Sequence, residues 1–264
     1  MRDVYIIGAC MRTFGRHKDR NMKSLAAEAV SSAVRHAGIE QAELQVAVVG
    51  NAYQGLVTGQ ESIRGQVVLR AMGIGGIPVT NVENACASSA AAFQVAWMDV
   101  ALGIHEVGLV LGMEKMYLED RAMRLKLFSA SADVEIVEQL VQALKAEKEE
   151  KRKQAERRGE VESGQKRTKV EGSAFMEIYA MACRLHMDKY GITQRQLAVI
   201  SSKNHEHAIH NPYAQYRMAM SVDEVLQAPE VAFPLTRPMC SPVGDGAAAL
   251  VLCSGDFVKK TGAH

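Results

Sequence analysis

The chain has 264 residues, of which 48% are hydrophobic, and its 31 basic and 30 acidic side chains leave a net charge of +1. That length is enough for one large or two ordinary globular domains. The balanced charge argues against a dedicated nucleic-acid surface, so small molecules and proteins are the expected partners. The five cysteines contain no CxxC pair and are too few for a disulfide framework, which predicts reduced thiols in the cytoplasm and no metal site.

No apolar run approaches the ~20 residues that a membrane span requires. The N-terminal apolar run is short and lacks the preceding basic region of a signal peptide. The sequence also contains neither a GxGxxG nor a GxxxxGK[ST] motif at a strand-to-helix junction. We therefore expect a soluble cytoplasmic protein without a membrane span or a nucleotide-binding loop.

Strand-like and helix-like segments alternate along the first part of the chain. The apolar run VYIIGAC (4–10) predicts a strand, and the helical spacing of apolar residues over 22–37 predicts a helix ending near Gly38. The alternation continues through strand-like segments at 46–53, 77–84 and 106–114, with helix-like segments at 61–73 and 88–103. This order predicts an α/β fold with a mostly parallel sheet and helices on its faces.

The pattern changes after Met116. Residues 145–170 are almost entirely charged or polar and predict either a solvated helix or a mobile excursion. Helix-like patterns return from about Gly172 to Tyr190 and over 194–209. The triplet GDG (244–246) predicts a turn in which Asp245 is structural, and the apolar run AAALVLC (247–253) after it predicts a strand that rejoins the first sheet.

Cys86 stands where a strand-like segment gives way, through small residues, to an Ala-rich helix-like segment. Unpaired N–H groups at a helix N-terminus favour a thiolate, and the small neighbours leave room for a substrate. Three interpretations follow from the residues alone: a nucleophile, a small core cysteine, or a redox-sensing thiol without a nearby resolving cysteine. Glu114, at the end of a strand-like segment, is either a site residue or a structural ion-pair partner.

Four ordered blocks resemble thiolases, most closely the sterol-carrier-protein-type branch. They are GGIPVTNVENACAS (75–88), LGMEKM (111–116), NHEH (204–207) with NPY (211–213), and CSPVGDGAAA (240–249). Together the matches extend over about residues 1–116 and 173–258. The resemblance implies that Cys86 is the reactive cysteine.

The same resemblance implies a domain organisation. Thiolases consist of two similar halves, packed as five α/β/α/β/α layers, and the first half carries an inserted loop domain over the acyl-CoA. By this comparison, residues 1–116 are the first part of the N-terminal domain, 117–235 the loop domain, and 236–264 the return to the N-terminal domain. The fold class is therefore a thiolase-like α/β/α layered half with a mostly parallel or mixed central sheet. A C-terminal thiolase domain, with its catalytic histidine and second cysteine, is absent from the sequence.

The resemblance implies an acyltransferase that moves acyl groups between CoA thioesters through an acyl-cysteine, cleaving or forming 3-oxoacyl-CoA in lipid metabolism. It needs no cofactor beyond the CoA substrates. Ser241 matches a loop beside the pantetheine arm, although a simple turn residue before Pro242 is an equal alternative. Phe175 and Met176 match side chains that line the acyl pocket, with core packing as the alternative.

Thiolases are dimers or tetramers, and the resemblance makes residues 77–84 the expected contact between two copies. Some thiolases of this branch bind a small zinc-containing OB-fold protein, which is therefore an expected heteropartner. Because the second half is not in the sequence, a non-catalytic binding or assembly subunit that depends on a partner is the alternative to an enzyme.

Overall fold

The computed structural model describes residues 1–120 and 174–262 continuously, together with scattered positions between 122 and 153. The chain divides into two compact units. The first contains Met1–Asp120 and Val243–His264, and the second contains Arg121–Pro242. Most of the charged segment predicted at 145–170 lies outside the described residues.

Strands and helices alternate through the first unit in the predicted order. The described strands of both units are, in chain order, β1 (Val4–Met11), β2 (Val46–Gly50), β3 (Val79–Val82), β4 (Val107–Lys115), β5 (Glu230–Ala232), β6 (Leu235–Thr236) and β7 (Asp245–Ser254). The helices whose full extent is described are, over both units, α1 (Met22–His36), α2 (Gln54–Thr58), α3 (Arg64–Arg70), α4 (Ser88–Ala101), α5 (Ala174–Tyr190), α6 (Gln194–Ala208), α7 (Val222–Gln227) and α8 (Gly255–Thr261).

Five strands of the first unit form one sheet in the order β1-β7-β4-β2-β3. β7 pairs antiparallel with both β1 and β4, whereas β2 pairs parallel with both β4 and β3. Four strands therefore run in one direction and β7 alone runs in the other. This confirms the predicted α/β class with a mixed sheet, and it confirms that the last apolar run rejoins the first sheet.

Helices cover both faces of this sheet. Successive residues of β2 point to opposite faces, so Ala47 and Val49 join the core under α1, whereas Val48 joins the core under α4. On the first face α1 contributes a full stripe of buried apolar residues, among them Leu25 and Ala29. On the second face α4 contributes small residues, with Ala92, Ala96 and Val100 fully buried.

Several predicted segments differ from the structure at their ends: the helix predicted at 61–73 is Arg64–Arg70, and the strand predicted at 77–84 is Val79–Val82. β2 ends at Gly50 rather than at residue 53, because residues 51–53 turn away to bind a side chain of β4. The turn predicted at 244–246 is also wrong in part. Asp245 and Gly246 are the first residues of β7, and the Asp245 side chain is fully buried.

The second unit contains α5, α6, α7 and the antiparallel pair β5-β6. Thr193 and Ser221 cap the starts of α6 and α7, each within a capping box that satisfies two backbone N–H groups. The buried Thr236 hydroxyl of β6 donates to the Val225 carbonyl at 2.8 Å, which ties α7 to the pair of strands. None of the described helices combines the length and apolar character that a membrane crossing would need.

Candidate active site at Cys86

The chain passes from β3 to α4 through a tight turn that contains Cys86. A single 3-10 turn, Ala85–Ala87, leads directly into α4, and the Cys86 side chain is exposed. Ala85 has a φ of 43°, the left-handed region that side chains other than glycine rarely adopt. The Ser88 hydroxyl donates to the Ala85 carbonyl at 2.8 Å and accepts from the Asn84 N–H at 2.9 Å, so it holds the strained turn closed.

The start of α4 rests on two glycines that face each other in the sheet. Gly50 of β2 and Gly112 of β4 are register partners. A Cβ atom on Gly50 would lie 2.6 Å from the Ser88 carbonyl oxygen, and one on Gly112 would lie 2.9 Å from the Ser89 Cβ. Only glycine at these positions lets the helix approach so closely. The N-cap residue Ala87 provides no side-chain cap, so no N-cap side chain occupies the first-turn N–H groups next to Cys86.

One buried residue joins the carboxyl ends of three parallel strands beside this turn, through its backbone and its side chain. Asn51 follows β2, and its N–H donates to the Val82 carbonyl of β3 at 3.2 Å. Its side-chain amide donates to the Met113 carbonyl and to the Glu114 carboxylate of β4, each at 2.9 Å. The amide oxygen of Asn51 accepts from Arg64 at 3.0 Å. The end of each strand is therefore fixed relative to the others.

Glu114 fixes the loop that follows Asn51. Its carboxylate accepts from the Ala52 N–H at 2.9 Å and from the Tyr53 N–H at 3.2 Å. Burial raises the pKa of the Glu114 carboxyl group, and the hydrogen bonds from these amides act in the opposite direction. The side chain is thus a structural acceptor of amides, which differs from the predicted ion-pair alternative.

Tyr53 lies within electrostatic range of the turn that contains Cys86. Its side chain is half-buried, and burial is the largest cause of the raised pKa of its hydroxyl. The charges of Cys86, Glu114 and Glu83 raise the pKa of Tyr53 further. The Tyr53 hydroxyl is therefore within electrostatic range of the Cys86 sulfur.

Comparison of the sequence with protein-family models agrees with this arrangement of a glycine-supported helix start and an exposed cysteine. The family model for the thiolase N-terminal domain matches residues 4–256. The chain belongs to the thiolase family. Among curated thiolase-family relatives, an acetyl-CoA acetyltransferase of Methanothermobacter thermautotrophicus is 35% identical over 98% of this chain and 59% of its own length. The benzoylsuccinyl-CoA thiolase subunit BbsB of Thauera aromatica is 34% identical over 99% of this chain and 58% of its own length.

Human sterol carrier protein 2 is 31% identical over 99% of this chain and 43% of its own length. The chain therefore spans about two fifths to three fifths of the length of these relatives. Two solved structures share the fold. An Ltp2-ChsH2(DUF35) aldolase has a TM-score of 0.65 at 21% identity and is matched over 97% of this chain and 56% of its own. An acetyl-CoA acetyltransferase from Syntrophomonas wolfei has a TM-score of 0.65 at 16% identity, with 100% and 67% covered.

The other predicted site residues of this thiolase-family chain lie in the second unit, whereas Cys86 lies in the first. Phe175 and Met176 are in the first turn of α5, and Met176 is half-buried. Ser241 is exposed and follows the 3-10 turn Arg237–Met239. Within the described residues, no group of three or more His, Cys, Asp or Glu side chains is arranged to hold a metal ion.

Asp245 and Cys253 have structural roles. The Asp245 carboxylate accepts from the Lys115 ammonium at 2.9 Å and from the N–H groups of Met116 and Tyr117 at 2.8 Å each. The predicted structural role of Asp245 is confirmed by these bonds, although they join β7 to the end of β4 rather than shape a turn. Cys253 is fully buried in β7, and burial raises its pKa to about 11, which suits the predicted inert core cysteine.

Sequence reasoning missed Asn51 and Tyr53, and it left the role of Glu114 open. The one available signal was the dipeptide Gly50-Asn51, because a glycine and an asparagine after an apolar strand are typical of a chain reversal. The continuous pattern VAVVGNAY concealed that signal by extending the predicted strand to residue 53.

Proposed function

We propose that this chain is the nucleophile-bearing N-terminal half of a thiolase that transfers acyl groups between CoA thioesters through Cys86. The observation that carries the proposal is an exposed thiol at the glycine-supported start of α4, in a chain that matches the thiolase N-terminal domain over residues 4–256. Reactive cysteines combine exposure with a helix N-terminus in this way.

The proposed chemistry begins with the Cys86 thiolate attacking the 3-oxo carbonyl carbon of a 3-oxoacyl-CoA. An S–C bond forms and the carbonyl oxygen takes the negative charge, which the backbone N–H groups at the start of α4 stabilise. In the cleavage direction, the carbon–carbon bond then breaks and the departing acyl-CoA carbanion takes a proton. CoA thiol next accepts the acyl group from the sulfur. Condensation runs through the same steps in reverse.

Carbon–carbon bond chemistry also requires a base that removes a proton next to a thioester carbonyl. We propose that a C-terminal thiolase half supplies this base, either on a continuation of this chain or on another chain. The outer side of α4 supports this division. α4 is apolar nearly all round, and Met98, Leu102 and Ile104 at its end are 39%, 65% and 64% exposed. A helix of this composition is typically covered on both sides.

Further parts of the proposal follow the thiolase resemblance. Ser241 contacts the pantetheine arm of CoA, and Phe175 and Met176 line the acyl pocket. Residues 77–84, which include the edge strand β3, join two copies into a dimer or tetramer. A small zinc-containing OB-fold protein is the proposed heteropartner, and a solved structure of the same fold, described as an Ltp2-ChsH2(DUF35) aldolase, supports a two-component assembly. The cytoplasm is the proposed compartment.

The decisive experiment is incubation of the full chain with acetyl-CoA, followed by intact-mass analysis. We expect a mass increase of one acetyl group on the parent and on Cys240→Ser, a matched control because Cys240 is half-buried with a pKa raised by burial. Cys86→Ser should show none. An adduct that persists in Cys86→Ser would contradict the assignment of the nucleophile.

The alternative is a non-catalytic binding or assembly subunit. We consider it because the chain spans only part of the length of its relatives. Such a subunit would bind CoA in a calorimetric titration yet form no acyl adduct, with or without a complementary thiolase half. Adduct formation by Cys86 would exclude it.

A further inference from the structure

Hydrogen bonds fix the backbone of all three residues in the loop between β2 and α2, residues 51–53. Its two outer residues are bound through backbone N–H groups, Asn51 to the Val82 carbonyl and Tyr53 to the Glu114 carboxylate. Ala52 is held from two sides, because its N–H donates to Glu114 at 2.9 Å and its carbonyl accepts from Arg64 at 3.1 Å. A loop with this many partners has one defined conformation.

This loop is joined to the nucleophile turn on both sides of Cys86. On the N-terminal side, the bond from Asn51 reaches Val82, four residues before Cys86. On the C-terminal side, Gly50, which precedes the loop, lies so close to Ser88 that an added Cβ atom would overlap the Ser88 backbone, two residues after Cys86. The loop and the turn therefore form one rigid assembly, and Tyr53 is the large side chain that the loop brings to it.

The side chain of Tyr53 is suited to form a wall of the site. It is half-buried, so one part of the side chain packs against protein while the rest meets solvent. Cys86, Glu114 and Glu83 are near enough for their charges to raise the pKa of the Tyr53 hydroxyl, in addition to the effect of burial. A tyrosine provides a large, stiff surface with two rotatable bonds, which suits a fixed boundary.

We propose that Tyr53 forms the wall beside Cys86 that limits the size of the group reaching the sulfur, and that Glu114 is a positioning residue that holds Tyr53 there through the Ala52 and Tyr53 N–H groups. The proposal deepens the proposed function, since it assigns acyl-group selection at the same site. Tyr53 lies outside the motifs on which the thiolase resemblance rests, whereas Glu114 belongs to the LGMEKM block.

Alkylation of Cys86 by reagents of two sizes tests the wall without any acyl-CoA. Iodoacetamide and its bulky N-benzyl analogue react by the same displacement of iodide, and peptide mapping isolates the rate at Cys86. Tyr53→Ala should raise the ratio of the bulky to the small rate constant by about tenfold, the scale of a lost steric contact in a substrate pocket. Tyr53→Phe should keep the parent ratio. Tyr5→Ala, a half-exposed tyrosine on β1, is the matched control and should not change it.

The role of Glu114 is tested by a double-mutant cycle with Glu114→Gln, which keeps the shape of the side chain. Glu114→Gln alone should raise the same ratio about threefold, whereas in the Tyr53→Ala background it should add no further change, because coupled residues are not additive. An unchanged ratio in Tyr53→Ala would overturn the wall. An equal effect of Glu114→Gln in both backgrounds would overturn the positioning role.

Thermal melts of each variant separate these outcomes from loss of folding, since a merely destabilised protein would alkylate faster with both reagents and keep the ratio. Failure of the wall and failure of the thiolase proposal are also distinguishable. The alkylation ratio reports only the surroundings of Cys86, whereas the acetyl-CoA adduct reports its chemistry.

Discussion

The helices on the two faces of the sheet, α1 and α4, differ in how they are capped and in how their apolar side chains are distributed. α1 is complete within the first unit: Asn21 caps its start, Gly38 follows its end in a left-handed conformation, and its buried residues form a single stripe. α4 has no side-chain cap and is apolar nearly all round. Packing within this unit therefore covers the apolar stripe of α1, whereas it leaves α4 with an uncapped N-terminus and exposed apolar side chains at its end.

The largest effect should come from the glycine contact under each helix. A Cβ atom on Gly8 would meet the Ala33 carbonyl of α1, and one on Gly50 would meet the Ser88 carbonyl of α4. We expect Gly8→Ala and Gly50→Ala each to lower the free energy of unfolding by about 1–3 kcal/mol in urea titrations, the usual cost of overpacking.

Only Gly50→Ala should also slow the alkylation of Cys86 by iodoacetamide, because only that variant displaces the start of α4. Equal alkylation rates in the two variants would show that the position of the α4 N-terminus does not control the cysteine.

A smaller effect is expected at the cap of α1. The Asn21 side chain accepts from the Ser24 N–H at 2.9 Å. Asn21→Ala should lower the free energy of unfolding by about 1 kcal/mol, which is typical of a lost N-cap. The rate of Cys86 alkylation should not change, and any change would mean that α1 also contributes to the reactive site.

The pH dependence of stability should distinguish Glu114 from ordinary carboxylates. Because burial raises the pKa of Glu114 in the folded state, the folded protein binds a proton that the unfolded chain has already released. Its contribution to stability is therefore present at low pH and lost as the pH rises through the folded-state pKa. The difference in unfolding free energy between the parent and Glu114→Gln should follow this direction in chemical denaturation from mildly acid to neutral pH. A difference with the opposite slope would contradict the burial of this carboxylate.

The smallest change in stability is expected on the outer side of α4. Met98→Gln and Leu102→Gln alter side chains that are 39% and 65% exposed, so the free energy of unfolding of this chain should stay within about 0.5 kcal/mol. The same changes should weaken binding of a complementary thiolase half, measured by calorimetry. Unchanged binding would place the partner elsewhere.

Periodicity was sufficient to predict most of the fold. The apolar spacing of α1 and the apolar run of β7 each reflect the burial of a single element. The residues of that element alone are therefore enough to predict it. The end of β2 was mispredicted because Asn51 and its neighbours are turned by a carboxylate more than sixty residues away. Asp245 was placed in a turn for a similar reason, since the Lys115 that pairs with it in the structure is remote in sequence.

The place of Cys86 was predictable, because a change from strand to helix periodicity marks such a junction. Its surroundings were not. The close contact of Gly50 with Ser88 and the orientation of Tyr53 arise where three strand ends meet, and no single segment contains that information.

The interior position of β7 also determines when the sheet can form during synthesis. β7 lies between β1 and β4, yet it begins at Asp245, whereas every other strand of the sheet is complete by Lys115. A ribosome adding ~5–20 residues per second needs on the order of ten seconds to make the chain in between. During that interval β1 and β4 lack the strand that joins them, and their edges are open to other chains. Chaperone dependence of this sheet should therefore be concentrated before β7 is made.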